Sequence, residues 1–213
     1  METMSHESWL QARQKGIGAS DASAVIGRNP YKTNVELWEE KTGKREPEDI
    51  SHKPYVQYGT EAEAPLRDLF ALDYPQYEVE YQNYDMFRHS EHPFIFATLD
   101  GRLTEKDTGR CGVLEIKTTE ILRSMQYESW RDKMPENYFC QIIHQLLATG
   151  WDFAILKAQL KTSYQGDIRL NVRHYLIERS EVIEDLEYLL EKELAFWKMV
   201  ELRKRPPLIL PNI

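Results

Sequence analysis

Two carboxylates and a lysine lie close together in the stretch LDGRLTEKDTGRCGVLEIKTTE, which covers residues 99–120. Asp100 follows one apolar run, and Glu115 and Lys117 lie two residues apart in the next. Because a strand sends alternate side chains to opposite faces, Glu115 and Lys117 share one face and their apolar neighbours share the other. If the two runs pair as neighbouring strands, Asp100 reaches the face that carries Glu115 and Lys117.

These residue types suit a metal-dependent phosphodiesterase. Two carboxylates a few ångströms apart repel each other unless a cation lies between them. A hard divalent ion binds oxygen ligands, so it would accept Asp100, Glu115, the backbone carbonyl of Ile116 and water. Lys117 cannot bind a metal while it is charged, but its ammonium group can hold an attacking water and offset charge on a phosphate. One or two such ions supply an activated hydroxide and stabilise the leaving oxygen. The alternative is a pair of solvated strand ends.

The Glu-x-Lys spacing alone has little diagnostic value. A chain with 29% charged residues contains such pairs by chance. A second copy, Glu39 and Lys41, falls in a predicted helix, where we interpret it as a solvated face. The preceding aspartate makes the first copy more specific.

The composition predicts a soluble globular protein with one domain over residues 1–213, since 41% of the residues are hydrophobic. A net charge of −8 argues against a non-specific nucleic-acid coat protein, which would carry a basic surface. The two cysteines, Cys111 and Cys140, are too few for a disulfide scaffold or a four-cysteine iron–sulfur cluster. No apolar run has the length of a membrane span, and the first residues lack a signal-peptide core. We therefore expect a cytoplasmic protein with no membrane partner.

Capping residues and hydrophobic periodicity predict the elements that position these residues. Ser20 is predicted to cap a short helix through Ile26, and Thr33 with Glu36 forms a capping box for a helix that Gly43 ends. Further helices are predicted over residues 58–74, 136–149 (ended by Gly150) and 180–204 (opened by Ser180). A charged loop is predicted over residues 44–54.

Strands are predicted between the third and fourth helices and again before the last. Period-two alternation begins near Tyr77 and indicates strands at 94–103 and 112–119, joined by a hairpin-like loop. Two more are predicted at 151–160 and 168–179. Residues 205–213, RPPLILPNI, form an apolar C-terminal tail. This order of helices and strands predicts an α/β fold with a mixed sheet flanked by helices.

Five motifs, in this order, resemble those of the YqaJ-type viral recombinases: GIGASDASAVIGRNPYKTNVELWEEKTG, YGTEAEAPL, LDGRL, LEIKTT and YFCQIIHQLLATG. These proteins are relatives of bacteriophage lambda exonuclease in the PD-(D/E)xK nuclease superfamily. The resemblance runs from about Arg13 to Trp197. It implies a PD-(D/E)xK, restriction-endonuclease-like α/β core and dependence on Mg²⁺, one or two ions per site, with Mn²⁺ left open. It also implies digestion of the 5′ strand of double-stranded DNA ends.

The resemblance also implies roles for individual residues. Asp100 and Glu115 match the metal ligands, and Lys117 matches the catalytic lysine. Glu63 matches a helical glutamate that contributes to the metal site, with Glu61 as an alternative. In the helix predicted over residues 136–149, Gln141 matches the glutamine that points at the active centre of the family.

Arg13 and Ser20 match residues that hold the terminal 5′-phosphate. A helix N-terminus at Ser20 would offer free N–H groups and a favourable dipole to a phosphate. The sequence departs from the family pattern at Leu99, where proline is usual, and at Ile143, where a second glutamine is expected. Neither the residues nor the resemblance assigns a role to Gln145.

The function expected from the resemblance is an exonuclease that leaves 3′ overhangs for a single-strand annealing protein, working as a ring-shaped homotrimer. The alternatives are a catalytically idle DNA-end-binding scaffold and a restriction-type endonuclease on the same core. Arg123, Arg131 and Lys133 are either phosphate contacts or a solvated face. Cys140 and His144 have metal-ligand spacing but no partners, which makes zinc a poor interpretation.

Overall fold

A computed structural model describes residues 5–210 and contains eight strands in that part of the chain. They are β1 (Ile17–Gly18), β2 (Tyr77–Glu80), β3 (Phe87–Arg88), β4 (Ile95–Ala97), β5 (Gly101–Glu105), β6 (Cys111–Ile121), β7 (Phe153–Tyr164) and β8 (Asp167–Glu178). The large sheet has the order β2-β5-β6-β7-β8 and the small sheet β1-β4-β3. In the large sheet β6 and β7 run parallel and the other neighbours antiparallel, so the predicted mixed sheet is confirmed.

Seven α-helices flank the sheets in the described residues. They are α1 (His6–Gln14), α2 (Ala22–Val25), α3 (Asn34–Lys41), α4 (Pro54–Asp73), α5 (Ser124–Glu128), α6 (Glu136–Thr149) and α7 (Ile183–Glu201). One face of the large sheet packs on α4 through Leu66 and Phe70. The other face packs on α6 through Ile142 and Leu146, with α7 behind it. The face that carries Glu115 therefore lies under α6.

Local capping signals predicted several helix ends correctly. Thr33 Oγ1 accepts a hydrogen bond from the Glu36 backbone N–H (3.2 Å), and Glu36 Oε2 accepts one from the Thr33 N–H (2.9 Å). Gly43 and Gly150 both have φ of +71°, which glycine adopts without strain, and they follow the ends of α3 and α6. The predicted charged loop is one residue shorter than expected, because Pro54 occupies the first turn of α4.

Two predicted caps are wrong. Ser20 lies inside a 3-10 turn, Ala19–Asp21, whose N-cap is Gly18. The turn is closed by Asp21, whose carboxylate accepts a hydrogen bond from the Gly18 N–H (3.2 Å). Ser180 likewise lies in a 3-10 turn, and α7 begins three residues later, at Ile183. Helix α1 was not predicted at all.

The predicted strand over residues 94–103 is divided between the two sheets. β4 pairs with β1 and β3 in the small sheet, whereas β5 pairs with β2 and β6 in the large one. Residues 98–100 cross from one sheet to the other, and Leu99 is buried in the core at this crossing. Asp100 therefore directly precedes a strand, whereas the sequence placed it at a strand end.

The described part of the C-terminal tail lies against the body of the chain. Asn34 donates a hydrogen bond to the Pro207 carbonyl (2.8 Å) and accepts one from the Ile209 N–H (2.9 Å). Leu208 and Leu210 are exposed. Residues 211–213 of the predicted tail lie outside the described residues, and contact of the tail with a partner stays a prediction. Within residues 5–210, no helix combines the length and apolar character needed to cross a bilayer.

Candidate active site

The structure brings Asp100 and Glu115 together across the hairpin of β5 and β6. Gly101 pairs with Leu114 in this antiparallel ladder, so the residue before Gly101 lies opposite Glu115. The Asp100 Oδ2 atom accepts a hydrogen bond from the Ile116 N–H at 2.8 Å. The convergence of Asp100 with the Glu115 strand therefore follows from the register, as the sequence predicted.

Glu115 is the most highly constrained side chain of the site. It is only 2% exposed. Its Oε1 atom lies 2.5 Å from Lys117 Nζ and 2.5 Å from the Gln141 amide nitrogen. Its Oε2 atom accepts a hydrogen bond from the amide of Gln145. Three charged or polar donors thus hold the carboxylate in one orientation.

Gln145 is a residue that sequence reasoning missed. It is fully buried and, like Gln141, it projects from α6 towards Glu115. The signal was present, because residues four apart lie on the same face of a helix. Its Oε1 atom has no hydrogen-bond partner among the described residues.

Arg67 is a second residue that the sequence did not single out. Its guanidinium donates to the Asp100 backbone carbonyl. It also lies 3.6 Å from the centre of the Tyr81 ring, a favourable cation–π contact. Arg67 follows Glu63 by four residues on α4, so the sequence spacing already places both side chains on one helix face. Arg67 fixes the segment that crosses between the sheets.

The carboxylates of the site destabilise one another. Burial raises the pKa of Asp100 well above its ordinary value, and the neighbouring charge of Glu115 raises it further. Burial and Glu115 also raise the pKa of Glu63. Burial alone would lower the pKa of Lys117, but Glu115 and Asp100 outweigh it and the pKa rises. Lys117 is thus held as an ammonium ion, and it offsets only part of the repulsion between the acidic groups.

Glu63, rather than Glu61, faces this centre. Glu61 is exposed, whereas Glu63 is partly buried. The pKa of Glu63 responds to Glu115, which raises it, and to Lys117, which lowers it. The geometry therefore agrees with the residue that the resemblance favours.

The donor set fits a hard divalent cation, although the described residues contain no ready-made group of three or more His, Cys, Asp or Glu side chains. The available donors are oxygens: the carboxylates of Asp100, Glu115 and Glu63, and the Ile116 carbonyl. Such an ion prefers oxygen, and its charge would counter both the burial and the repulsion from Glu115 that raise the pKa of Asp100. Lys117 currently supplies the only cation next to Glu115 among the described residues.

Arg13 and Ser20 also come together. The Arg13 guanidinium lies 3.5 Å from Ser20 Oγ and 4.6 Å from the centre of the Trp9 ring. Lys41 Nζ lies 2.8 Å from an Asp21 carboxylate oxygen and 3.0 Å from the Arg13 carbonyl. The Lys41 side chain is only 9% exposed and holds this segment through both contacts, so its interpretation as a solvated side chain is wrong.

The Arg13 segment is connected through the small sheet to the segment that carries Asp100. β1 begins four residues after Arg13 and pairs in parallel with β4, with Ile17 opposite Ile95. β4 leads through the crossing residues to Asp100. Helix α6 also contacts the 3-10 turn that contains Ser20.

The zinc alternative is wrong, because neither Cys140 nor His144 is available as a metal ligand. Burial raises the pKa of the Cys140 thiol to about 11, which disfavours the thiolate that metals bind. His144 Nδ1 lies 2.6 Å from Glu193 Oε1, and Nε2 lies 2.8 Å from the Phe96 carbonyl. The Phe96 carbonyl and an ionised Glu193 both accept hydrogen bonds, which favours protonation of both ring nitrogens, and Glu193 outweighs burial so that the pKa of His144 is raised.

The three other basic candidates, Arg123, Arg131 and Lys133, have different surroundings. Arg131 pairs with Glu128 at 2.6 Å on the surface, which is the solvated-face interpretation. Lys133 is exposed. Arg123 lines a shallow surface cavity of 330 Å³ together with Ser124. A phosphate role for these residues stays a prediction.

The model of the YqaJ-like viral recombinase domain family matches residues 8–152, which include every candidate site residue. Uncharacterized protein YqaJ of Bacillus subtilis (strain 168) is 30% identical over 201 residues, 91% of this chain and 56% of the relative. Uncharacterized protein R354 of Acanthamoeba polyphaga mimivirus is 29% identical over 155 residues, 68% of this chain and 27% of the relative. The chain thus spans about half of the first relative's length and about a quarter of the second's.

Solved exonuclease structures share the fold. The alkaline exonuclease LHK-Exo from Laribacter hongkongensis gives a TM-score of 0.62 at 19% identity, covering 93% of this chain and 96% of that one. LHK-Exo in complex with dAMP gives 0.66 at 21% identity with the same coverage. A phage related exonuclease from Haemophilus somnus 129PT gives 0.55 at 12% identity, covering 88% and 96%. These likenesses confirm the predicted α/β fold of the PD-(D/E)xK type.

Proposed function

Because the chain belongs to the YqaJ-like viral recombinase domain family, we propose that it is a metal-dependent exonuclease acting on double-stranded DNA ends. It digests the 5′ strand and leaves a 3′ single-stranded overhang. The observation that supports this most is the convergence of Asp100, Glu115 and Lys117 on two neighbouring strands.

The proposed cofactor is Mg²⁺, one or two ions, with Mn²⁺ as the alternative. Asp100, Glu115, Glu63 and the Ile116 carbonyl would hold it. When bound, the ion supplies an activated hydroxide and a Lewis acid at the phosphoryl oxygen. Lys117 holds the attacking water and offsets charge on the phosphate.

The two glutamines of α6 act by positioning. Gln141 and Gln145 each donate to one oxygen of Glu115, so the carboxylate keeps its orientation when a DNA strand enters. Preorganised donors of this kind do not have to reorient during the reaction. We assign them no direct contact with the phosphate.

Arg13 and Ser20 are proposed to bind the terminal 5′-phosphate. A guanidinium and a hydroxyl are the donors that phosphate binds well, and a charge-assisted hydrogen bond is stronger than a neutral one. Their separation of 3.5 Å lets both reach one phosphate group. A site for the 5′ end, held at a fixed position relative to Asp100 through β1 and β4, would give the enzyme its polarity.

The proposed partners are DNA ends and a single-strand annealing protein that receives the overhang. The proposed assembly is a ring-shaped homotrimer, and the proposed compartment is the cytoplasm of a bacterial host, for a phage or prophage protein. Cys111 and Cys140 are free thiols, which fits a reducing compartment. An idle scaffold is disfavoured, since such proteins lose one of the reacting groups, and here Asp100, Glu115 and Lys117 are all present.

The test compares linear duplex DNA, with and without a 5′-phosphate, with a closed circle. Each substrate is incubated with the wild-type protein, with Lys117→Ala and with Lys192→Ala, in Mg²⁺ and in EDTA. Lys192 is a surface lysine of α7 paired with Glu191, so it serves as the matched control. We expect loss of linear DNA alone, dependent on metal and on Lys117, and faster with the 5′-phosphate.

Two outcomes would contradict the proposal. Cutting of the closed circle would establish an endonuclease. Intact end binding with no cutting in Mg²⁺ or Mn²⁺ would establish a scaffold. End-labelling of either strand reports which strand is digested.

A further inference from the structure

The two edges of the large sheet are built differently. At one edge, β2 is four residues long and its exposed positions are Glu78 and Glu80. Short, charged edge strands of this kind resist pairing with another strand. At the other edge, β8 is twelve residues long, and within the described residues no strand pairs with its outer side. The outer backbone groups of β8 therefore offer a long template for a further strand.

The same edge strand exposes a row of aliphatic side chains. We call it the β8 row, and its members are Ile168, Leu170, Val172 and Leu176. Each is between 45% and 60% exposed. Because they are alternate residues, they share one face of the strand. Leu176 pairs with Ile155, which packs in the core cluster under α4, so the β8 row lies on the α4 face of the sheet and beyond the cover of that helix.

The free hydrogen-bonding groups of the edge belong to these same even-numbered residues. Gln165 and Gly166 form the two-residue loop between β7 and β8, and both have positive φ (50° and 90°), as in a type I′ hairpin. Tyr164 and Asp167 flank such a loop as a hydrogen-bonded pair. Hydrogen-bonded and non-hydrogen-bonded pairs alternate along an antiparallel ladder. The odd-numbered residues of β8 therefore bond to β7, and the even-numbered residues direct their N–H and C=O groups outward.

A second copy of β8 complements this edge in one antiparallel register. When Leu170 of one copy lies opposite Leu170 of the other, Ile168 lies opposite Val172. The same register sets Asp167 opposite Arg173, an ion pair on the other face of the strands. Both of these pairs occur twice, because a contact between identical surfaces has twofold symmetry.

Charge distinguishes this register from its neighbours. A slide of two residues is the smallest that keeps the outward N–H and C=O groups paired. In one direction it sets Arg169 opposite Arg169, and in the other it sets Arg169 opposite Arg173. Like charges directly opposite each other destabilise a strand pair, whereas opposite charges stabilise it. The Arg173 guanidinium is held in place, since Nη1 donates to the Arg131 carbonyl at 2.9 Å.

We propose that two copies of this chain pair through β8 in this register and so join their large sheets into one continuous sheet. The pairing satisfies the outward backbone groups of both strands and brings the two β8 rows together on one face. Its twofold symmetry makes it distinct from the threefold contacts of the proposed ring, so it joins either two chains or two rings. The inference does not rest on the proposed nuclease function.

The test uses Leu170, which faces its own copy across the twofold axis. Light scattering after gel filtration measures the molar mass of wild type, Leu170→Lys, Leu170→Asp and an equal mixture of these two variants. The protein concentration is the lowest at which wild type is fully paired. Leu202→Lys and Leu202→Asp, alone and mixed, are the matched controls, since Leu202 is 64% exposed and follows α7. Circular dichroism verifies that every variant is folded.

We expect an even number of chains in wild type and half of that mass in each Leu170 variant. Like charges at the axis weaken the pairing about 10-fold or more. The mixture recovers the wild-type mass, because an ammonium group then faces a carboxylate across the axis. The Leu202 variants keep the wild-type mass, alone and mixed.

Hydrogen exchange gives a second measurement that needs no variant. Pairing protects the outward amides of Ile168, Leu170 and Val172. Exchange in the peptide that contains them therefore slows as the concentration of wild type increases, and it stays fast in Leu170→Lys.

An odd number of chains in wild type would overturn the inference, because the edge would then be left for a different partner. It would also be overturned by an unchanged mass in both Leu170 variants, by a mixture that fails to recover the wild-type mass, or by exchange that does not depend on concentration. None of these results alters the cutting assay with Lys117→Ala, so the proposed function is judged separately.

Discussion

Replacing His144 by leucine is expected to destabilise the protein more than replacing Glu193 by leucine, and the double replacement is expected to restore much of the loss. His144 and Glu193 are both fully buried and form one ion pair between α6 and α7. The second ring nitrogen of His144 binds the Phe96 carbonyl of β4. The pair therefore joins the helix of the two glutamines to the strand that leads to Asp100.

The loss of stability in each variant depends on which buried polar or charged group loses its partner. His144→Leu leaves a buried carboxylate without its cation, which costs about 3–5 kcal/mol. Glu193→Leu leaves a histidine that can lose its proton and then carries one unpaired group, at about 1–3 kcal/mol. The double variant removes both charges, and replacing a buried pair by apolar groups of similar volume is often neutral. With a total stability of about 5–15 kcal/mol, the single variants remain measurable.

The pH dependence gives an independent check. Burial alone would lower the pKa of His144, but Glu193 outweighs it, and the folded-state pKa is raised. The pair therefore stabilises fully below the unfolded pKa of about 6.5, and this contribution is lost as the pH rises through the folded-state value. In Glu193→Leu burial, the largest influence, is opposed only by the Phe96 carbonyl and Asp21, so we expect the folded-state pKa of His144 to fall and this group's contribution to stability to increase with rising pH.

Urea unfolding of the four proteins between pH 5.5 and 9 measures these effects. The double variant should lack both slopes, and groups common to all four proteins cancel in the differences. Equal losses in the two single variants, losses that add in the double variant, or the same pH slope in wild type and Glu193→Leu would refute the reasoning. Circular dichroism at each pH confirms that all four proteins start folded.

Three further results are expected. Gln145→Leu should slow cutting about 10- to 100-fold, because it removes the hydrogen bond to one oxygen of Glu115. The rate measured against Mg²⁺ concentration should show weaker Mg²⁺ binding, and unchanged kinetics would contradict this prediction. Cutting should fall as the pH drops through the raised pKa of Asp100, and more Mg²⁺ should move that fall to lower pH, since protons and metal compete for the carboxylate. Arg13→Ala should remove the preference for a 5′-phosphate, worth about 10-fold or more, whereas Lys15→Ala should retain it.

Elements defined by a short run of residues were predictable. The capping box of Thr33 and Glu36 satisfies backbone groups within a single turn, so its outcome depends on nothing distant. Gly150 ends α6 for the same reason, since only its own φ and one carbonyl are involved. The register that joins Asp100 to Glu115 was also readable, because a short hairpin allows few pairings.

Elements decided by distant partners were not predictable. Period-two alternation continues through residues 94–103, and it carries no sign that Leu99 turns into the core while the strands on each side join different sheets. Ser20 has the residue type of a helix cap, but Asp21 closes the turn with the help of Lys41, 20 residues away. Gln145 reaches Glu115 only because α6 lies over β6. The four-residue spacing places Gln145 on the helix face of Gln141, but it does not tell which strand that face packs on.

The chain connection between the parallel strands β6 and β7 governs when the site becomes complete during synthesis and folding. The β5–β6 hairpin is local, and such a unit closes in about 1–10 μs, so it brings Asp100 to Glu115 early. The glutamines of α6 reach Glu115 only after the crossover has closed and β7 has paired with β6, which is a slower, non-local step. A nascent or partly folded chain thus carries the acids without the groups that orient them. The candidate site, and with it the proposed nuclease activity, is therefore complete only after this non-local step.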